Sequence, residues 1–483
     1  MKLSEALGIV VARTGHRRFL ELTDPENPSY VKEYEQVVID MARQYQGAAP
    51  RGATIIRTHL NSWTGYGQIA EWLGRGLEWQ GVPARYVSIG TDERYLGLPE
   101  FTTSRTVHSL DSESPVLQLL TPMSPLPENP TVAFTMWESS RISADAVGHL
   151  NRAQAVIVPC LYNAEGFRAS GVTVPIHVVP LGIDRGEGYT PKPYAGGPIT
   201  FGMAARMAHG GIRKGLNEGM RAFVAAFDRG EDARLHLKVW EDCLDALEIP
   251  DDPRIRVTTT PMTPPMMAEW YGSIDCLFVP SKGEGWGLHT HQAMACGRSV
   301  IAADYSGTRE FWSPDFGWSL PYNEAPAGEF YAGQGNWAVP TPDGMVEALR
   351  ASYRDPDGCR HKGALAANRA SEFTWERTAR GVHAVLADLG MVPLSPTPSP
   401  TPAPTLPGLF TRAANFASAA VSHVRAGRPQ LGDAAYEARL AICETCDQFL
   451  PGGQCASCGC NLRVKARWAE QSCPLDKWPE IVA

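Results

Sequence analysis

The stretch Lys282–Phe311 reads KGEGWGLHTHQAMACGRSVIAADYSGTREF, and its reading decides the fold. The apolar run Cys276–Pro280 delivers it as a buried strand, and Glu284 follows, then Gly285-Trp286-Gly287-Leu288. A helix is predicted from about Thr290 to Ala295, then a turn at Gly297, a short apolar strand over Ser299–Ala303 and a second small-residue loop at Ser306-Gly307. Glycines let backbone N–H groups approach a ligand closely, and the start of the helix that follows offers a positive end to an anion. The order strand, glycine loop, helix, strand is half of a nucleotide-binding βαβ unit and predicts an α/β protein.

Outward from this stretch the same rhythm recurs on both sides. Upstream, Ile199–Ala204 reads as a strand and is followed by Arg206 and, past a glycine-bearing turn, by Arg213-Lys214-Gly215. A helix over Asn217–Phe227, strands over Arg234–Val239 and Arg254–Thr258, and a helix over Pro264–Tyr271 complete that run. Further upstream, Ala53–Leu60 is a β-branched strand, Asn61–Gly67 (NSWTGYG) a glycine loop holding Gly65 and Gly67, Gln68–Gln80 a helix and Pro83–Ile89 a strand. Thr131–Glu138, Ala155–Pro159 and Ile176–Pro180 read as further buried strands. Glu138 ends its strand where open α/β sheets place their ligands; His59 and His108 are further candidates for the cleft. Tyr30–Tyr45 has the spacing of one amphipathic helix.

The residues E-G-W-G-L, A-M-A-C-G, S-V-I-A and S-G-x-x-E resemble the donor-site signature of the retaining GT-B glycosyltransferases of the glycogen-synthase-like group, which is glycosyltransferase family 4-like. The resemblance implies two Rossmann-like domains facing a cleft and transfer of a sugar from a nucleotide-sugar donor, UDP- or GDP-linked, to a hydroxyl acceptor with retention. In that family two glutamates eight positions apart in number contact the transferred sugar and the ribose; Glu284 matches the first, and Gln292 stands at the second. An amide binds a diol without charge assistance. The resemblance also carries over an arginine and a lysine that stabilise the departing diphosphate, matching Arg206 and Lys214, with Arg213 as the substitute for Lys214. It places Gly285, Trp286, Gly287, Leu288, Gly65, Gly67 and Glu310 on the donor side and implies no catalytic metal. Pro180-Leu181-Gly182-Ile183-Asp184 resembles the crossing between the domains, and Phe373-Thr374-Trp375-Glu376 the F-x-W-E motif that introduces a terminal helix packing back across them. The same fold also serves epimerases and phosphorylases, and Gln292 leaves room for a non-catalytic sugar-nucleotide binding protein.

The chain of 483 residues exceeds one hydrophobic core, so several domains are expected. The boundaries read as an extension over 1–50, an acceptor domain over 51–195, a donor domain over 196–392, a proline-rich linker over 393–408 (LSPTPSPTPAPTLP from Leu394) and a tail over 409–483 with a helix from about Leu409 to Arg425. A net charge of −8 gives no global attraction to nucleic acid or anionic membrane. No stretch reads as a secretory leader or a membrane span, and a cytoplasmic protein is expected, in the host cytoplasm if a bacteriophage encodes it.

Of 11 cysteines, Cys160, Cys243, Cys276, Cys296 and Cys359 are scattered and read as small buried side chains. The other six crowd together as Cys443-x-x-Cys446, Cys455-x-x-Cys458-x-Cys460 and Cys473. Two C-x-x-C pairs can complete a tetrahedral site, so a structural zinc on four of the six is expected. The cysteine run and the ending from Cys473 to Trp478 resemble small tails of some bacteriophage and bacterial proteins. Arg463, Lys465 and Arg467 beside Trp468 keep a hydroxymethylated DNA base among the acceptor candidates, with protein and glycan; homo-oligomerisation is left open.

Overall fold

Strands made almost wholly of Val, Ile, Leu, Phe, Ala and Cys can only be buried on both faces, and parallel sheets wrapped by helices provide that burial. A computed structural model of the chain builds two of them. It describes residues 53–60, 65–89, 100–107, 113–393 and 419–473, less short gaps at 185, 187, 195, 207–211 and 332–333 and within the tail, with isolated positions before 53. Most of the helix read over Tyr30–Tyr45, the proline-rich linker, His108 and Cys458 lie outside the described residues.

The first sheet takes β1 (Thr54–Thr58), β2 (Ala84–Ser88), β3 (Val116–Leu119), β4 (Thr131–Phe134), β5 (Ala155–Val158) and β6 (Ile176–Val178) in the spatial order β2-β1-β3-β4-β5-β6, all parallel. Between β1 and β2 runs α1 (Gly65–Trp79). The glycine loop ends earlier than the sequence reading has it: Gly65 and Gly67 lie in the first turn of α1, where Gly65 lines the cleft and Gly67 is buried behind it. After β4, α2 (Ala144–Leu150) is capped by the Ser143 hydroxyl, which accepts from the Ala146 N–H, and α3 (Leu161–Ser170) follows β5.

The second sheet takes β7 (Ile199–Ala204), β8 (Ala233–Lys238), β9 (Ile255–Thr258), β10 (Cys276–Val279), β11 (Ser299–Ala302) and β12 (Gly317–Ser319), again all parallel, in the order β12-β11-β10-β7-β8-β9. The order reverses between β7 and β10, and the crevice at their carboxyl ends is where a doubly wound sheet takes its ligand. The helices α4 (Leu216–Ala226), α5 (Pro264–Gly272) and α6 (Leu288–Ala295) link these strands. The hairpin β13 (Tyr322–Pro326) and β14 (Asn336–Pro340), then α7 (Pro342–Arg354) and α8 (Pro356–Ala370), carry no signal in the sequence reading.

The terminal helix α9 (Trp375–Asp388) starts at Thr374, whose side chain accepts from the Arg377 N–H, and packs back onto α1: the rings of Trp72 and Trp375 stack 6.2 Å apart at 8°. The Ile183 N–H donates to Phe373 O at 3.1 Å, tying the crossing segment to the start of that helix. Residues to Leu394 form one compact unit and Ser395–Ala483 another. In the second unit α10 (Asp433–Glu444), the short pair β15 (Phe449–Leu450) and β16 (Gln454–Cys455) and α11 (Leu462–Lys465) surround a small core. Cys443, Cys455, Cys460 and Cys473 are buried in it with Leu462 and Ala466.

Candidate functional site

The cleft lies where the carboxyl ends of the second sheet face α1 and the end of β4, and it encloses about 350 Å³. That volume is the size of an ordinary small-molecule site. The loop after β10 supplies Glu284, Gly285, Gly287 and, at the start of α6, Leu288 and His289; Arg206 comes from the end of β7, and Arg213 and Lys214 from the turn before α4. The first sheet contributes Glu138, Met136 and, from α1, Gly65, Tyr66 and Gln68.

Glu284 is the electrostatic centre. Lys214 Nζ donates to its two carboxylate oxygens at 2.7 and 2.9 Å, Ser281 Oγ donates at 2.7 Å, and Arg213 stands 3.2 Å away. Burial alone would raise its pKa, but the Lys214 and Arg213 cations outweigh that and hold the carboxyl well below the usual range. The Arg213 guanidinium also reaches Glu138 at 3.4 Å and so joins the two halves of the molecule through one cation. Glu138 in turn accepts from Tyr331 Oη at 3.1 Å.

Local backbone chemistry explains why glycines recur here. Gly287 holds φ 98° as the N-cap of α6, with no side chain capping the first turn, so its N–H groups open onto the cleft. A Cβ on Gly283 would meet the Glu138 carbonyl oxygen at 2.3 Å, so only glycine lets this loop pass the first half of the chain. Ser306 takes a left-handed φ of 59°, which aims its hydroxyl at the Glu284 N–H (2.9 Å). The ring of Trp286 turns inward, packed on Phe311 at 4.8 Å and donating to His291 Nδ1 at 3.3 Å. Burial pushes His289 down to about 4 and His291 to about 3, so both are neutral imidazoles at ordinary pH.

The structure therefore brings Glu284, Lys214, Arg206, Gly285, Trp286, Gly287, Leu288, Gln292, Gly65 and Glu138 to one cleft, while Gly67 is buried in the helix turn beside it and does not line it. Gln292 stands in a neutral chain: Tyr271 Oη donates to its Oε1 at 3.2 Å, and its Nε2 donates to Gln68 Oε1 at 3.3 Å. Arg206 lies 3.6 Å from Asp242 and its guanidinium 5.3 Å from the Trp240 ring. Two expected residues stand elsewhere. Glu310 does not line the cleft; its carboxylate accepts the Leu161 N–H at 3.0 Å, a place favoured by the open start of α3. His59 is exposed past the end of β1 and is likewise not among the lining residues.

The sequence reading passed over Ser281, His289, Tyr271, Lys238 and Trp240. The signal for Lys238 is a charged residue closing the apolar strand run of β8; for the others, position beside a motif is all the sequence offers. All five scattered cysteines are buried. In the tail, no group of three His, Cys, Asp or Glu side chains is placed to hold a metal among the described residues, which exclude Cys458. No helix among the described residues is long and apolar enough to cross a membrane.

Residues 198–327 match the family described as Glycosyl transferases group 1, and residues 424–478 match a family of unknown function, DUF6171. The D-inositol 3-phosphate glycosyltransferase of Paenarthrobacter aurescens (strain TC1) is 30% identical over 119 residues, which cover 25% of this chain and 25% of that one. The match thus spans about a quarter of the length of such relatives. The sucrose-phosphate synthase of Thermosynechococcus elongatus superposes over 70% of this chain and 99% of its own, with a TM-score of 0.53 at 15% identity. The lipopolysaccharide outer core galactosyltransferase WaaB, in its apo form, covers the same shares with a TM-score of 0.51 at 12% identity. The architecture matches that of the GT-B glycosyltransferases, and within its second half residues 198–327 are similar to the group 1 glycosyltransferases.

Proposed function

We propose that the chain transfers a glycosyl group from a nucleotide-sugar donor, UDP- or GDP-linked, to a hydroxyl acceptor with retention at the anomeric carbon. The observation that carries this reading is the Glu284 carboxylate, pinned by Lys214, Arg213 and Ser281 beside the uncapped start of α6, at the reversal point of the second sheet. In this reading Glu284 orients the sugar, Gln292 faces the ribose, and Arg206, Lys214 and the first N–H groups of α6 face the diphosphate. As the bond from the anomeric carbon to the diphosphate oxygen breaks, negative charge grows on that oxygen, and these fixed donors stabilise it. The acceptor oxygen bonds to the anomeric carbon on the same face, and its proton passes to the departing phosphate oxygen, so no protein nucleophile is needed.

Acceptor choice belongs to the first half, around Glu138, and a DNA base bearing a hydroxymethyl group, a protein hydroxyl and a glycan are the candidates. For the tail, the reading is a zinc on four of the six cysteines; its support is the C-x-x-C spacing and the shared burial of Cys443, Cys455, Cys460 and Cys473. The decisive experiment is a binding and donor-hydrolysis screen with UDP-, GDP-, ADP- and TDP-sugars, using the intact protein and Arg206→Ala. One donor should bind and be slowly hydrolysed, and Arg206→Ala should lower turnover about 100-fold, the scale of one transition-state donor. Binding without hydrolysis or transfer to any acceptor would make the chain a binding protein instead.

A further inference from the structure

Among the described residues four cations line the cleft, and three of them have a carboxylate within reach: Lys214 and Arg213 share Glu284, and Arg206 faces Asp242. The fourth, Lys238, does not. It closes β8, is 6% exposed, and among the described residues no carboxylate lies within ion-pair distance of it. Its Nζ donates once, to Val239 O at 3.0 Å, and lies 5.7 Å from the centre of the Trp240 ring. An ammonium has three protons to donate, so two remain for a ligand. Burial pulls the Lys238 pKa below its ordinary value, as expected for a cation short of a counter-group.

Position says which part of a ligand it meets. The strand ends run β10, β7, β8 across the sheet, carrying Glu284, Arg206 and Lys238 in that order. Neighbouring strands stand roughly 4.8 Å apart, so Lys238 lies about 10 Å from the Glu284 loop on the far side of Arg206. With sugar at Glu284 and diphosphate at Arg206, the next group of a nucleotide sugar is its nucleoside. The Trp240 ring lies 5.7 Å from Lys238 Nζ, and Met262, Pro264 and Met267 line the same cleft; such apolar surfaces suit an aromatic ring.

We propose that Lys238 reads the exocyclic keto oxygen of the donor's nucleobase, so that the cleft selects uracil or guanine over cytosine or adenine. Uracil and guanine present a carbonyl acceptor where cytosine and adenine carry an amino donor, and a side chain with donors only can bond the first pair and repels the second. The inference rests on the transferase reading and adds to it the base class and the residue that enforces it.

The test is titration calorimetry of UDP, GDP, CDP and ADP into the intact protein, Lys238→Met and Lys238→Gln. The intact protein should bind UDP or GDP about 10-fold or more tightly than CDP and ADP, the scale of one charge-assisted hydrogen bond. In Lys238→Met that preference should fall to near unity, with ADP and CDP binding unchanged. Lys238→Gln, whose amide oxygen can accept from an amino group, should give the same loss and serves if the methionine variant does not fold. Retention of the preference in the variants overturns the proposal. Equal weakening of all four ligands overturns it too, by placing Lys238 on the diphosphate. If the intact protein binds none of the four, the transferase reading itself falls and takes this inference with it.

Discussion

The two six-stranded halves are built alike and furnished differently. At the carboxyl ends of the second sheet stand Arg206, Arg213, Lys214, Lys238 and Glu284; across the cleft the first half offers, among the described residues, Tyr66, Gln68, Met136 and a single carboxylate, Glu138. A diphosphate imposes fixed cations and exposed N–H groups on whatever binds it, whereas an acceptor hydroxyl imposes little beyond shape. On the proposed reading, the charged half is the one whose chemistry a common ligand group dictates.

The largest effect should come from removing the charge at its centre. Glu284→Gln leaves Lys214 buried without its counter-charge and Arg213 with Glu138 alone. A loss of about 3 kcal/mol in folding stability is expected, as for a broken buried pair. Glu138→Gln, which removes a less buried partner of the same arginine, should cost about 1 kcal/mol. Urea midpoints of both variants measure the contrast. Equal costs would mean that Arg213 is held jointly and that the charge centre is not confined to the second half.

Next in size is an acid sensitivity that the second half brings with it. His291 is 0% exposed and packed on Trp286 and Phe311, with a folded pKa of about 3. Unfolded, the ring takes a proton below about 6.5; folded, it does not until near its depressed value. The unfolded state thus binds more protons in that window, and this part of the stability, complete above about 6.5, is lost as pH falls through it. The Glu284 carboxyl adds a loss of the same sign, but only below the ordinary carboxylate range near 4.3. Between pH 6.5 and 4.5 the stability gap between the intact protein and His291→Leu should shift by about 2 kcal/mol in favour of the variant, at roughly 1.4 kcal/mol per pH unit. A gap that does not move with pH would show that the ring is not buried neutral.

The same contrast explains what the sequence disclosed. Five of the six strands of the second sheet are legible to within a residue or two, as where Cys276–Val279 and Val300–Ala302 run apolar beside glycine turns, while the three-residue β12 is too short to show a pattern. Glu284, Lys214 and Arg206 are legible through the resemblance of their motifs to a known donor signature, and the structure brings them to one cleft. Glu310 does not line the cleft, and its distance from the Ser306-Gly307 turn says nothing of α3, whose start it meets from 149 residues away. Lys238, which closes β8, and Trp240, two residues past it, carry no signal because the neighbour of β8, β7, is set by topology and not by local pattern. The tail is legible only as spacing, and the hairpin over 322–340 only from packing, because its two strands alternate too weakly to show a period.

That hairpin carries the smallest and most discriminating prediction. It belongs to the second half, yet Tyr331, between its strands, packs on Trp137 with ring centroids 4.8 Å apart and donates to Glu138, the first half's one cleft carboxylate. Asn336 meets the same segment, accepting the Ser140 N–H at 3.0 Å and donating its own N–H to Ser140 Oγ at 2.9 Å. Tyr331→Phe removes one hydroxyl and keeps the ring, so a stability loss of about 1 kcal/mol is expected. Because Glu138 keeps Arg213, the affinity for a nucleoside diphosphate should not change, while the acceptor KM should rise. A fall in nucleotide affinity instead would place Glu138 on the donor side, and the division of labour between the halves would then have to be drawn through Arg213 rather than through the cleft.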